Sequence, residues 1–144
     1  MISVFDVAAY ILQKRQTIST WKLQKLLYYC QAWSLVWDEK PLFGEEIQAW
    51  INGPVCPAIY HKFQGQYQID HIDCGDSRML DENQKDSIDI VLSSYGDKSP
   101  QWLSDLTHKE MPWQKAREGL LPNVRGNSVI SLESMAEYYE SLTE

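Results

Sequence analysis

The sequence is short of basic residues, of cysteines and of long apolar runs, and each shortage argues against a class of protein. Thirteen Lys and Arg residues against 20 Asp and Glu give a net charge of −7, which disfavours broad binding to nucleic-acid phosphates because such binding needs clustered cations. Three cysteines at irregular spacing do not describe a disulfide framework and favour a reducing compartment. No apolar run approaches the ~18 residues of a membrane span, and the N-terminal residues do not resemble a secretion signal. We therefore expect a cytoplasmic protein that binds neither nucleic acid directly nor a membrane.

The chain is instead rich in aromatic rings and has the length of an ordinary domain. Its 144 residues include six Trp and eight Tyr, with 44% hydrophobic and 23% charged residues, a composition that is typical of globular proteins apart from the rings. This length fits a single domain over residues 1–144 with a substantial core. Some of the rings are expected on a contact surface.

The stretch from Ser19 to Trp37 predicts the helix around which the chain is organised. One arc of about 120° is apolar, and so is most of the opposite side. The arc contains Leu23, Leu26, Leu27, Cys30, Ser34 and Trp37. Ser19 is a suitable N-cap, and a helix that is apolar nearly all round is normally buried on several sides. We therefore predict a mainly α fold, a single compact helical domain around a buried central helix, with a small β-hairpin or short sheet.

Capping patterns predict where the other helices begin. Two segments match capping boxes, and a Ser or a Pro opens most of the remaining ones. The predicted starts lie at Ser3, Pro57, Asp81, Ser99, Met111 and Ser131.

Alternating apolar and polar residues predict one short strand over residues 46–52, with Trp50 on the face opposite the apolar residues. Its partner is left open between residues 42–43 and residues 67–72. Gly53-Pro54 is expected to form a turn.

Four motifs occur together in an order typical of one protein family. They are K-L-Q-K-L-L-Y-Y at residues 22–29, P-L-F at residues 41–43, I-Q-A-W and G-P-V between residues 47 and 55, and L-T-H and P-W between residues 106 and 113. The set resembles the Panacea domain, also described as the SocA-like or phage-associated GepA family, over nearly the whole chain. The resemblance implies a mainly helical antitoxin that neutralises a cognate toxin by direct stoichiometric protein–protein binding in a toxin–antitoxin system, with an association to phage or prophage.

Two other functions stay open. One branch of the family resembles a proteolytic adaptor that delivers its toxin to a cytoplasmic AAA+ protease, so such a protease is a second candidate partner. A small metal-dependent hydrolase is the alternative from the enzyme class. No residue pattern in the sequence indicates a catalytic residue, and we expect neither an enzyme nor a cofactor.

A homo-oligomer is compatible with the sequence.

Four residues of metal-ligating type fall within a short segment: Cys56, His61, His71 and Cys74. They lack the C-x2-C spacing of a zinc knuckle, and Cys56 stands between Val55 and Pro57. Exposed histidines and partly buried thiols are therefore the preferred interpretation.

Aromatic rings with polar edges are the best candidates for partner contact, because they offer a large contact area at small entropic cost. The candidate partner-binding residues are Trp21, Lys25, Tyr29, Glu46, Gln48, Trp50, Tyr60 and His108. Trp50 leads the set, since one face of its ring is expected to be open. Glu46 and Gln48 flank it and suit a basic toxin surface.

Several polar residues have a structural interpretation as well. His108 lies at a predicted helix end, where an imidazole can bond carbonyl groups that the helix leaves unpaired. The polar residues Lys22, Gln24 and Lys25 either form the exposed start of the central helix or hydrogen-bond a neighbouring turn such as Gly53-Pro54. The hydrogen-bonded role is preferred for Gln24, because a buried amide needs partners.

Overall fold

The computed structural model describes residues 2–143, and these residues form seven α-helices and four very short strands. In chain order the elements are α1 (Val4–Arg15), β1 (Ile18–Ser19), α2 (Thr20–Trp37), β2 (Gln48–Trp50), β3 (Gly53–Val55), α3 (Pro57–Lys62), β4 (Gln68–Ile69), α4 (Glu82–Tyr95), α5 (Pro100–His108), α6 (Met111–Ala116) and α7 (Leu132–Ser141), with a 3-10 turn at Ser77–Met79. The predicted mainly α fold is confirmed.

The helix α2 lies at the centre, as its apolar circumference predicts. Ser19 Oγ accepts a hydrogen bond from the Lys22 N–H at 3.0 Å, so the helix begins where the sequence indicates. Helices α1, α4, α5 and α7 pack against it, and residues 23–32 are all buried. Trp37 departs from the predicted buried arc, because it ends the helix and keeps 40% of its surface exposed. Within residues 2–143, no helix is both long and apolar enough to cross a bilayer.

The other helices begin at the predicted capping residues. Ser3 and Asp81 complete their capping boxes with Asp6 and Gln84. Ser99 and Ser131 accept backbone hydrogen bonds at the starts of α5 and α7. Capping hydrogen bonds join near neighbours in sequence, which is why these starts are predictable from sequence.

The strands form two short antiparallel pairs. β2 pairs with β3, with Ala49 opposite Pro54, so the Gly-Pro-Val segment is a strand and the turn lies before it. Residues 42–43 contribute no strand to the described chain, and the 67–72 segment pairs instead through β4 with β1, where Ile69 stands opposite Ile18. Both predicted partners of the strand are therefore wrong. Gly and Pro are both depleted in strands and usually mark turns, so the sequence does not predict a strand at this Gly-Pro pair.

The second edge of β2 is covered by residues 128–130. The Ala49 N–H donates to Ser128 O and the Ile130 N–H donates to Ile47 O, each at 2.8 Å. The β2–β3 hairpin is thus enclosed on this edge.

Candidate functional site

Six side chains from three helical segments form hydrogen bonds to backbone carbonyl oxygens of the β2–β3 hairpin and of the residue that follows it. The contacts are Arg117 Nη1 to Ala49 O (3.1 Å), Trp113 Nε1 to Trp50 O (2.9 Å), His108 Nε2 to Ile51 O (2.9 Å), Ser104 Oγ to Asn52 O (2.6 Å), Lys25 Nζ to Pro54 O (3.2 Å) and Gln24 Nε2 to Cys56 O (3.2 Å). We call these six side chains the hairpin clamp. Because each contacts a different carbonyl, together they fix the hairpin along its whole length.

Gln24 satisfies the backbone at the point where the hairpin ends. Besides donating to Cys56 O, it accepts the Cys56 N–H through Oε1 at 2.8 Å. Both residues are buried, so neither backbone group has water as an alternative partner. The predicted hydrogen-bonded role of the Gln24 amide is confirmed, but its partner is the Cys56 backbone and not the Gly53-Pro54 turn.

Lys25 lies inside the protein with 0% of its surface exposed. Its stem packs against Gly53, whose φ is +119° and where an added Cβ would come within 2.7 Å of Lys25 Cε. Burial lowers the pKa of Lys25 to about 7. Lys25 therefore exposes no surface in the free chain, in contrast to the sequence expectation of an open contact residue, and its bond to Pro54 O positions the hairpin.

His108 is half-buried between its own helix and the hairpin. Its Nδ1 lies 2.6 Å from Ser104 O, and its Nε2 lies 2.9 Å from Ile51 O. The ring of Trp113 packs 4.1 Å away, centroid to centroid. Carbonyl oxygens only accept hydrogen bonds, so a neutral imidazole donates one of these two contacts and an imidazolium donates both. The geometry gives His108 the structural role that the sequence favoured.

Tyr29 belongs to a buried network on the other side of α2. The hydroxyls of Tyr29 and Tyr139 both donate to Glu110 Oε1 at 2.7 Å, and Tyr28 Oη lies 3.0 Å from Tyr139 Oη. Desolvation raises the pKa of Glu110. Tyr29 is 0% exposed, so it too has no surface to offer a partner.

Four of the predicted partner-binding residues share one surface on the hairpin and α3. Trp50 Nε1 donates to Gln48 Oε1 at 2.8 Å, and Gln48 Nε2 donates to Glu46 Oε2 at 2.7 Å. The Trp50 ring meets the Tyr60 ring edge to face, with centroids 4.9 Å apart. Trp50 is half-buried and Tyr60 is 42% exposed. We call Glu46, Gln48, Trp50 and Tyr60 the Trp50 surface.

A pocket of about 270 Å³ opens beside this surface. It lies between the first turn of α2, the hairpin turn, and α3 with the loop that follows it. The half-buried ring of Trp21, a fifth predicted partner-binding residue, forms part of the lining. Most of the accessible lining is apolar.

The residues of metal-ligating type are spread over different environments. Cys56 is buried, Cys74 is half-buried, and His61 and His71 are exposed. No group of three or more His, Cys, Asp or Glu side chains within the described range is placed to hold a metal ion.

Three members of the hairpin clamp are not anticipated from the sequence: Ser104, Trp113 and Arg117. Trp113 belongs to the P-W motif, which marks it without revealing its partner. Arg117 is buried at the end of α6, and it also bonds the carbonyls of Leu121 and Val124. Its burial has no signal in the sequence, because arginines are mostly exposed.

The fold and its exposed aromatic surface describe a helical domain suited to contact with other proteins. The sequence model described as "Antitoxin SocA-like, Panacea domain" matches residues 23–114. This match covers more than half of the chain, and the chain belongs to the SocA-like antitoxin (Panacea) family. The resemblance is thereby confirmed, and membership supports an antitoxin-like role in general. No curated protein and no solved structure matches the chain.

Proposed function

We propose that this protein neutralises a toxin protein by stoichiometric binding through the Trp50 surface. The observation that carries the proposal is the ring pair of the half-buried Trp50 and the exposed Tyr60 beside a pocket, on a hairpin whose carbonyl groups are held by the hairpin clamp. Tryptophan and tyrosine are enriched among the residues that dominate binding energy at protein interfaces.

The hairpin clamp supports this proposal through preorganisation. A binding surface that is already ordered loses less conformational entropy when a partner docks. Five of the six clamp residues lie within residues 23–114, the range of the family match. In this account the family motifs maintain the scaffold, and the rings presented by the hairpin make the contact.

Charge indicates the kind of partner. The chain carries a net charge of −7, and the exposed Glu46 is linked through Gln48 to the Trp50 indole. A partner with a mainly basic surface is attracted by this charge distribution, which raises the association rate.

The test is growth rescue in a bacterial host that expresses a candidate toxin, to be sought first in the reading frames next to this gene. Co-expression of the wild-type chain is expected to restore growth, and a stoichiometric complex is expected to elute in gel filtration. Failure of rescue together with failure of complex formation would contradict the proposal. Rescue accompanied by disappearance of the toxin protein would instead indicate delivery to a protease.

A further inference from the structure

One hydrogen-bond donor at the pocket has no acceptor, and a second has fewer acceptors than it has N–H groups. Trp21 Nε1 is buried and has no hydrogen-bond partner among the described residues. The fully buried Lys25 Nζ donates to Pro54 O, although an ammonium group carries three donors. Both residues line the 270 Å³ pocket. A buried donor without an acceptor is unfavourable, so the free chain is short of an oxygen acceptor at this place.

The charge at the pocket is opposite in sign to that of the whole chain. The described residues that line it include no Asp or Glu, and Lys25 is the charged residue among them. The adjoining hollow, which shares Trp50 and Tyr60, has Arg125 as its charged residue. An incoming negative group therefore meets basic side chains in the pocket and in the adjoining hollow, despite the net charge of −7.

Lys25 also lacks a counter-charge of its own. No carboxylate of the described chain lies within ion-pair distance of its Nζ, and burial depresses its pKa to about 7. A carboxylate within hydrogen-bond distance would favour the protonated amine and form a charge-assisted bond, which is stronger than a bond to a neutral carbonyl.

We propose that the pocket receives an Asp or Glu side chain of the partner protein, whose carboxylate accepts hydrogen bonds from Trp21 Nε1 and Lys25 Nζ. The rings of Trp50 and Tyr60 contact the apolar residues next to it. Both donor atoms are closed to solvent in the free chain, so the half-buried Trp21 ring turns aside as the carboxylate enters. Changes of side-chain rotamer are common when interfaces form. The inference rests on the proposed function only for the source of the carboxylate.

The test uses the intact ¹⁵N-labelled chain and two small probes of similar shape. One is 4-phenylbutanoate, which joins a carboxylate to an apolar ring, and the other is the uncharged 4-phenyl-1-butanol. The measured signal is the indole N–H resonance of Trp21, assigned by its loss in Trp21→Phe. We expect a saturable shift with the acid in the millimolar range, as its size allows, and affinity for the alcohol about tenfold weaker at pH 6.5. The preference should shrink at pH 9, where Lys25 has lost its proton.

Variants assign the effect to the two donors. Lys25→Met is expected to abolish the preference for the acid, whereas Lys22→Met, a half-buried lysine in the first turns of the same helix, should preserve it. Trp21→Phe keeps a ring and removes the N–H, and it should weaken acid binding several-fold when followed through the Trp50 indole signal. This conservative variant provides the test if Lys25→Met does not fold.

Equal affinity for both probes, or no saturable shift of the Trp21 signal, would overturn the inference. Micromolar affinity for the free acid would also contradict it, because the pocket would then be a small-molecule site. The titration needs no toxin. A positive titration with failed growth rescue would therefore remove the proposed function and leave the carboxylate site in place.

Discussion

The side-chain amide of Gln24 bonds both backbone groups of Cys56, accepting from its N–H at 2.8 Å and donating to its carbonyl oxygen at 3.2 Å. The central helix thereby takes the place of a neighbouring strand at the end of the hairpin. Lys25, the next residue, holds Pro54 O in the same way. Two polar residues of the K-L-Q-K-L-L-Y-Y motif therefore act inside the protein, where they position the backbone that presents Trp50.

Replacing Gln24 with Ala is expected to destabilise the protein. The substitution leaves the buried Cys56 N–H and C=O without partners, and the loss should be on the order of 2 kcal/mol in the free energy of unfolding. Urea denaturation measures this change. Gln13→Ala removes an exposed glutamine of α1 and serves as the matched control, for which the change should stay within about 0.5 kcal/mol. Equal effects of the two substitutions would contradict this role of Gln24.

Replacing Gly53 with Ala tests the close approach of Lys25 to the hairpin. The new methyl group would come within 2.7 Å of Lys25 Cε and 3.0 Å of Thr107 Oγ1, at a φ of +119°. Gly65→Ala is the control, because Gly65 also has a positive φ, of +87°, but nothing lies within 4 Å of an added Cβ. Both variants bear the backbone strain, and Gly53→Ala should lose roughly 1 to 3 kcal/mol more in thermal or urea unfolding. A similar loss in both would show that the contact with Lys25 is unimportant.

The burial of Lys25 predicts a stability that rises with pH. Its pKa is lowered from the ordinary value of 10.5 to about 7 in the folded state, so between these values the unfolded chain binds a proton that the folded chain does not. The stabilising effect of high pH is therefore lost as the pH falls from 10.5 through 7. Urea midpoints measured from pH 7 to pH 9.5 should rise for the wild type and stay flatter for Lys25→Met. Retention of the full wild-type slope in Lys25→Met would contradict the assignment of this pH dependence to Lys25.

The raised pKa of Glu110 predicts that, at lower pH, the stability of the protein falls as the pH rises. Desolvation raises its pKa above the ordinary value of 4.5, so its contribution to stability is fully present below that value and is lost as the pH rises through the raised pKa. Glu110→Gln keeps an oxygen that can accept from Tyr29 and Tyr139, and it should be less sensitive to pH between 4 and 7. Glu118→Gln, which removes an exposed carboxylate, should retain the wild-type slope. The measurement is the urea midpoint across this range, and identical slopes for all three proteins would exclude this role of Glu110.

The sequence predicts best what depends on near neighbours. The N-cap at Ser19 and the capping box of Asp81 with Gln84 involve residues three positions apart, and the alternation around Trp50 places its ring on the less buried face of β2. These signals are local, so the mainly helical fold and the position of one strand follow from them.

The pairing of the hairpin depends on distant residues and is not predictable in this way. Its second strand contains Gly53 and Pro54, both unfavourable for a strand. It is held by Lys25 and by Gln24, which lie 29 and 32 positions from the backbone groups that they bond. The need of a buried amide for partners predicts that Gln24 bonds a nearby turn, but no local signal identifies that segment as a strand.

The candidate site shows the same division between local and distant effects. Trp21, Glu46, Gln48, Trp50 and Tyr60 come together at the hairpin and its pocket. Lys25 and Tyr29 are buried by helices that pack on α2 from elsewhere in the chain, and lysine in particular is rarely buried without an ionic partner. Residue type alone therefore predicts that Lys25 and Tyr29 lie on the surface. In the structure both are buried by tertiary packing.

The most direct test of the central claim is the affinity of the purified chain for the toxin that it neutralises in the growth assay, measured for the wild type, Trp50→Ala and Trp102→Ala. Trp102 is 45% exposed on α5 and provides a control tryptophan outside the Trp50 surface. The account predicts that Trp50→Ala weakens binding by at least about 2 kcal/mol, roughly 30-fold, with a nearly unchanged midpoint of thermal unfolding, and that Trp102→Ala binds like the wild type. Wild-type affinity in Trp50→Ala, or a loss of affinity that only follows a collapse of stability, would contradict it.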